Sequence, residues 1–156
     1  DGRRDLLVEL ADELIDQLCM HEKNLGKGAA LRTGFEQVKV HVVVIQDADL
    51  EYDPQELPVL LEPILSGKAD AVYGSRFLGG PHRVLLFWHS VGNRLLTLLS
   101  NILTDVNLTD METCYKMIRT DLLRSLPLST KRFGIEPELT ARLAQAGARI
   151  TDVPIS

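Results

Sequence analysis

The sequence is sparing with cysteine and with surplus positive charge. Its two cysteines, Cys19 and Cys114, have no metal-type spacing, so free thiols in a reducing compartment are expected rather than a zinc site or a disulfide. The formal net charge is −5, which removes the electrostatic footprint of a nucleic-acid binder and any bulk attraction to an anionic membrane. Repeats, low-complexity segments and the G-x-x-x-x-G-K-[ST] spacing of a P-loop are missing. No signal peptide shows: the chain opens Asp1-Gly2-Arg3-Arg4 with no apolar core behind it and no initiating Met, and so reads as an excerpt of something longer. The most apolar segment, Val84 to Leu103, contains His89, Asn93, Arg94 and Asn101. An Arg near the middle costs about 2.5–3.5 kcal/mol on insertion scales, so the segment is not a span. What remains is ordinary globular composition over 156 residues, 45% hydrophobic and 25% charged, enough for one domain (1–156) with a proper core.

The rest of the chain is organised around Gln46-Asp47-Ala48-Asp49-Leu50-Glu51-Tyr52-Asp53-Pro54. The β-branched run Val42–Ile45 before it suits a buried strand. Asp53 and Glu56 after it have the spacing of a capping box, with Pro54 at the first helical position. The acids therefore fall where a strand ends and a helix begins, the edge at which ligands bind in open α/β sheets. Side chains two apart on an extended backbone share a face, so Asp47, Asp49 and Glu51 can converge, and clustered carboxylates call for a hard divalent cation. A solvated acidic turn is the plainer alternative.

In chain order, residues 3–15 read as an amphipathic helix and 16–21 as a short strand. Asn24-Leu25-Gly26-Lys27-Gly28 opens a helix to about Val38; its glycines suit either a tight turn or close approach of an anion. A helix follows from Pro54 to about Leu65, with Pro58 and Pro63 as bending points, then a strand at Ala69–Tyr73, giving the rhythm of a mostly parallel sheet flanked by helices. Residues 79–83 read as a loop. Within the helical insert at about 84–103, Val84, Trp88, Val91, Leu95, Leu98 and Ile102 line one face, and Ser90, Arg94, Thr97 and Asn101 another. Core packing and a membrane-surface position are both open for it. Leu108–Ile118 reads as extended, with Asp110 and Glu112 on one face and solvated strand-end acids as the alternative. A short helix at 121–125, a helix from Pro137 to Gly147 and a strand at 149–154 complete the chain.

Taken in order, Asn24-x-Gly26-Lys27-Gly28, Asp47-Ala48-Asp49-Leu50-Glu51, Gly74-Ser75-Arg76, Gly92-Asn93-Arg94, Thr109-Asp110 and Phe133-Gly134-x-Glu136-Pro137-Glu138 resemble the inverting family 2 glycosyltransferases, most of all the dolichyl/polyprenyl-phosphate mannose synthase-like branch. The resemblance implies a GT-A (Rossmann-like) α/β fold, incomplete at the N-terminus, a nucleotide-sugar donor, Mg²⁺ or Mn²⁺, and a polyprenyl-phosphate acceptor. It implies donor-binding roles for Asn24, Gly26, Lys27, Asp47 and Asp49, and metal ligation by Asp47, Asp49 and Glu51. Asp110, Arg76 and Arg94 carry the implied catalytic roles, the arginines toward phosphates and Asp110 near the acceptor. Departures are plain: the family's opening strand and its Asn-Glu motif are not in the sequence, Glu51 stands where the branch often has Gln, and Arg83 and Ser90 are displaced from the acceptor pattern. The expected localisation is cytoplasmic, with peripheral attachment at the inner face of the plasma membrane left open. The competing readings are transfer to a hydroxyl acceptor, a sugar nucleotidyltransferase, and a non-catalytic membrane-docking domain.

Overall fold

A computed structural model describes residues 15–47, 51–79 and 86–156. The helix expected over 3–15 lies outside the described residues except at Ile15, and so do Asp49, Arg83 and Val84.

The β-branched run forms strand β1, Val42–Ile45. Strand β2, Ala71–Ser75, is buried at every position. Strands β3, Lys116–Arg119, and β4, Ile150–Pro154, complete a four-stranded sheet of order β1-β3-β2-β4. β3 runs antiparallel to both β1 and β2, while β2 and β4 are parallel. Three of the four strands thus share a direction, as expected, and the reversed one sits between them. The register sets Ile45 opposite Lys116 and Tyr73 opposite both Lys116 and Asp152.

Helix α1, Lys27–Gln37, begins where the glycines predict. Gly26 adopts φ 93°, and a side chain there would meet the Lys131 carbonyl oxygen at 2.5 Å. Ala29 N–H donates to that same carbonyl, so main chain lies directly on main chain. Asp53 caps the turn Pro54–Glu56 by accepting from the Gln55 N–H, and helix α2, Leu57–Leu65, follows. The capping box is only half made: Glu56 Oε1 accepts from the Ser156 N–H at 2.6 Å instead of reaching back to Asp53. Pro58 falls in the first turn of α2, where its missing N–H costs nothing, and Pro63 is buried inside it.

Helix α3 spans Phe87–Thr104, the short α4 Thr120–Ser125, and α5 Ile135–Gln145. α5 starts two residues ahead of Pro137, which still occupies the first turn, where no intrahelical partner is lost. The core joins Leu60, Val72, Tyr73, Tyr115, Ile118, Leu139 and Leu143, and α3 packs against α5.

Two expectations are not met. Residues 16–21 form no strand; the Gln17 side chain bonds to that of Gln37 at the end of α1, 3.0 Å away. Over 108–118 only the last part is strand. The N–H groups of Leu108, Met111 and Cys114 donate to the side chains of Asn101, Thr97 and Tyr52, which replace a ladder partner.

α3 is inverted with respect to an ordinary surface helix. Thr97 and Ser100 are buried, whereas Trp88 is 77% exposed, Leu98 55% and Ile102 68%. No helix among the described residues is long and apolar enough to cross a membrane. Two leucines therefore behave oppositely. Leu60→Ala, in the core, is expected to lower unfolding free energy by about 2–5 kcal/mol. Leu98→Ala stays within about 0.5 kcal/mol. Urea titration of both variants measures the contrast.

Candidate functional site

Because β1 and β2 point the same way, Asp47 after β1 and Arg76 after β2 emerge at the same edge of the sheet. The reversed β3 begins at that edge, and extending its register sets Cys114 opposite Asp47. Two charge clusters are built there.

In the first, Lys27 Nζ from the start of α1 lies 2.9 Å from Asp47 Oδ2 and 2.8 Å from Glu136 Oε1 at the start of α5. The contact to Glu136 is an ion pair. Glu136 Oε2 accepts from Lys116 Nζ at 2.6 Å, and Lys116 also donates to the Thr113 carbonyl and lies over the Tyr73 ring. Burial alone would lower the Lys27 pKa, but the Glu136 and Asp47 carboxylates outweigh it and hold the ammonium charged. Cys114 Sγ lies 3.8 Å from the same ammonium, yet burial, helped by Asp47, pushes its thiol up to about 12. It is no nucleophile at neutral pH.

In the second cluster the Asp110 carboxylate is fully buried and paired in two prongs with Arg76: Nε donates at 2.7 Å and Nη2 at 3.1 Å, with the Arg76 N–H adding a third bond at 3.3 Å. Asn93 Nδ2 on α3 donates to Oδ1 at 3.0 Å. Burial disfavours the Arg76 charge, and the Asp110 carboxylate more than restores it, with Tyr52 and Glu51 contributing to the same rise. Arg94 stands exposed on α3 with its guanidinium 5.5 Å above the Phe77 ring. A hydroxyl chain underpins this loop: the Phe77 N–H donates to Ser75 Oγ, which lies 2.6 Å from Thr109 Oγ1, and that hydroxyl donates to Asp152 Oδ2.

The structure thus gathers Lys27 with Asp47 in one cluster and Arg76 with Asp110 in the other, with Glu51 acting on Arg76. Asn24 Oδ1 accepts from the Gly26 N–H at 2.9 Å, closing the turn that starts α1. Among the described residues no group of three or more His, Cys, Asp or Glu is placed to hold a metal alone. The Asp47 carboxylate offers hard oxygen donors, its side chain 40% exposed at a sheet edge. That suits Mg²⁺ or Mn²⁺, which take one or two carboxylates plus ligand phosphates rather than a full protein cage. Sequence reasoning gave no role to Glu136, Lys116, Asn93 or Asp152. A lysine inside the apolar run Cys114-Tyr115-Lys116-Met117-Ile118 is the signal that was there to read.

Glu138 ties the segment that α1 rests on. Burial would raise its pKa, but bonds from the Thr130 N–H and from Ser129 hold it down to about 2. A depressed acid stabilises above its unfolded value, and the stabilisation is lost as pH falls through the folded one. Glu138→Gln should therefore lower the melting temperature at pH 7. Its difference from wild type should shrink as pH drops from about 5 toward 2. Calorimetry across that range checks it.

Comparison with known proteins adds to this geometry. The family model "Glycosyl transferase family 2" matches residues 1–126. An undecaprenyl-phosphate mannosyltransferase of Micrococcus luteus is 34% identical over 138 residues, covering 82% of this chain and 53% of the relative. The low-salt glycan biosynthesis hexosyltransferase Agl6 of Haloferax volcanii is 29% identical, covering 100% of this chain and 38% of the relative. This chain spans about half the length, or less, of these curated relatives. A solved structure of glucosyl-3-phosphoglycerate synthase from Mycobacterium tuberculosis, holding Mn²⁺, UDP-glucose and phosphoglyceric acid, superposes with a TM-score of 0.68 at 19% identity. It matches over 99% of this chain and 54% of that one, a likeness of fold.

Proposed function

The chain belongs to glycosyl transferase family 2, and from that premise we propose that it carries the sugar-transfer site of an inverting glycosyltransferase acting on a polyprenyl phosphate at the cytoplasmic face of a membrane. The donor is a nucleotide sugar, held at Asn24, Gly26, Lys27 and Asp47, with Asp49 and Glu51 in the same acidic stretch. Asp47 and Asp49 would hold Mg²⁺ or Mn²⁺, which would supply positive charge for the departing nucleoside diphosphate. The M. luteus relative's name supports the acceptor class, and the Mn²⁺ and UDP-glucose of the mycobacterial structure support a divalent metal and a nucleotide-sugar donor.

One observation carries the choice of acceptor. A hydroxyl acceptor needs a base, and both oxygens of Asp110 are already occupied by Arg76 and Asn93. A phosphate acceptor is an anion from the start and needs positioning, which is what Asp110 gives to Arg76. With Nε and Nη2 committed to Asp110, the guanidinium keeps further donors for a phosphate, and Arg94 adds a second charge on α3. The apolar face of α3 supplies the matching surface for a lipid chain. With net charge −5 the protein gains nothing from bulk attraction to anionic lipid, so docking rests on that local face.

The full-length protein that carries this chain should use a polyprenyl phosphate in preference to the matching polyprenol by roughly a hundredfold, the worth of a charge-assisted pair. Arg94→Ala should weaken phosphate-acceptor use and spare donor binding. Equal transfer to the alcohol in a radiolabelled-sugar assay would sink the lipid-phosphate reading and make Asp110 the candidate for the base that a hydroxyl acceptor needs.

Docking has its own readout. Trp88 emission should shift to the blue when phosphatidylcholine vesicles are added to the chain, because the ring leaves water for the interface. Leu98→Asp with Ile102→Asp should remove the shift. A shift that survives both substitutions would confine docking to the Trp88 end of α3, and no shift in the unsubstituted chain would take α3 out of the docking surface.

A further inference from the structure

Four charges of alternating sign stand in a row at the carboxyl edge: Lys116, Glu136, Lys27 and Asp47, at 2.6, 2.8 and 2.9 Å in turn. They come from β3, α5, α1 and the end of β1, so the row ties four separate parts of the chain together. The inner members are deeply placed, Lys116 fully buried and Glu136 only 4% exposed, while the outer Asp47 reaches solvent. Burying ions in this way is seldom the cheapest route to stability, since apolar residues of similar size often do as well. The row calls for another use.

Lysine is a point charge on a flexible four-carbon stem, and it stays in one place only where partners hold it. Lys27 has two carboxylates, Asp47 and Glu136, from different parts of the chain. Asp47 is the partner that the donor side draws on: once its charge is committed to a divalent cation, its hold on a neighbouring ammonium weakens, because two cations then share one carboxylate. Glu136 is not so exposed to competition. Its second oxygen is fixed by Lys116, which is itself fixed by the Thr113 carbonyl and the Tyr73 ring.

We propose that Glu136 is a positioning residue for the donor: it holds the Lys27 ammonium at the sheet edge when Asp47 is engaged, and so sets the affinity for a nucleoside diphosphate that it does not touch. The proposal rests on the donor site argued above. Lys116 is the counterweight that keeps Glu136 aimed, which gives a use to a fully buried lysine at the first residue of β3.

The test is a double-mutant cycle on binding, which needs no turnover. UDP and GDP are titrated in turn, each with Mn²⁺, into the full-length protein by calorimetry, with ligand-free melting temperatures as the control for folding. Because Glu136→Gln alone leaves the buried Lys116 unpaired, the Glu136→Gln/Lys116→Met pair is made beside it. Each is expected to weaken diphosphate binding about tenfold. Lys27→Met should do the same, and adding either Glu136 variant to Lys27→Met should cost nothing more. Additive losses would mean that Glu136 acts through the fold and would overturn the proposal, as would unchanged affinity in both Glu136 variants. Wild-type protein that binds neither diphosphate overturns the donor reading and this inference with it.

Discussion

The hydrogen-bonded ladders on either side of β3 hold the rest of the site in place. A strand running against both neighbours lets β1 and β2 point the same way without touching each other, so the segments leaving them arrive together at one edge. It also delivers its own beginning to that edge. Lys116 therefore stands beside the residues that follow β1 and β2, and a charge from the reversed strand meets charges from the forward ones. The residues ahead of β3 take their main-chain bonds from the side chains of α3 and from Tyr52, so the ladder extends its influence beyond the sheet.

The inward face of α3 shows how polar side chains can take the place of a core. Asn101 makes a two-way pair with the Leu108 main chain, donating at 2.8 Å and accepting at 3.1 Å. Thr97 accepts from the Met111 N–H while donating to Asn93, and Asn93 reaches Asp110. Each of these side chains satisfies a buried group that would otherwise cost about 1–3 kcal/mol. Turning the helix to bury its leucines would leave those groups unpaired. The exposed apolar face follows from that constraint.

Much of this was legible in the sequence, for reasons that differ from residue to residue. The β-branched run Val42–Ile45 and the Asp53-Pro54 start are local signals, and both elements form where they point. The glycines at 26 and 28 marked a turn, but their packing against 130–132 lies a hundred residues away and leaves no local trace. The amphipathic pattern of 84–103 separated two faces correctly. It carried no information about which face turns inward, since that depends on the unpaired main chain at 108–111. The extended reading of 108–115 failed because side chains, not a neighbouring strand, met its N–H groups. Asp110 and Arg76 belonged to separate motifs in the sequence, and only the fold makes them a pair.

The contact between the start of α1 and residues 130–132 bears on how the molecule can move. Side chains between two segments act as bearings: they change rotamer and let one part slide over the other. Here Gly26 and Gly28 have removed the bearing, and the Ala29 N–H is bonded straight to the Lys131 carbonyl at 3.0 Å. The two stretches of main chain are welded into one block, with α5 attached at its far end through Glu138. Accommodation to an incoming ligand is then left to the Arg76–Asp110 side of the sheet edge, while the side that carries Lys27 keeps its shape.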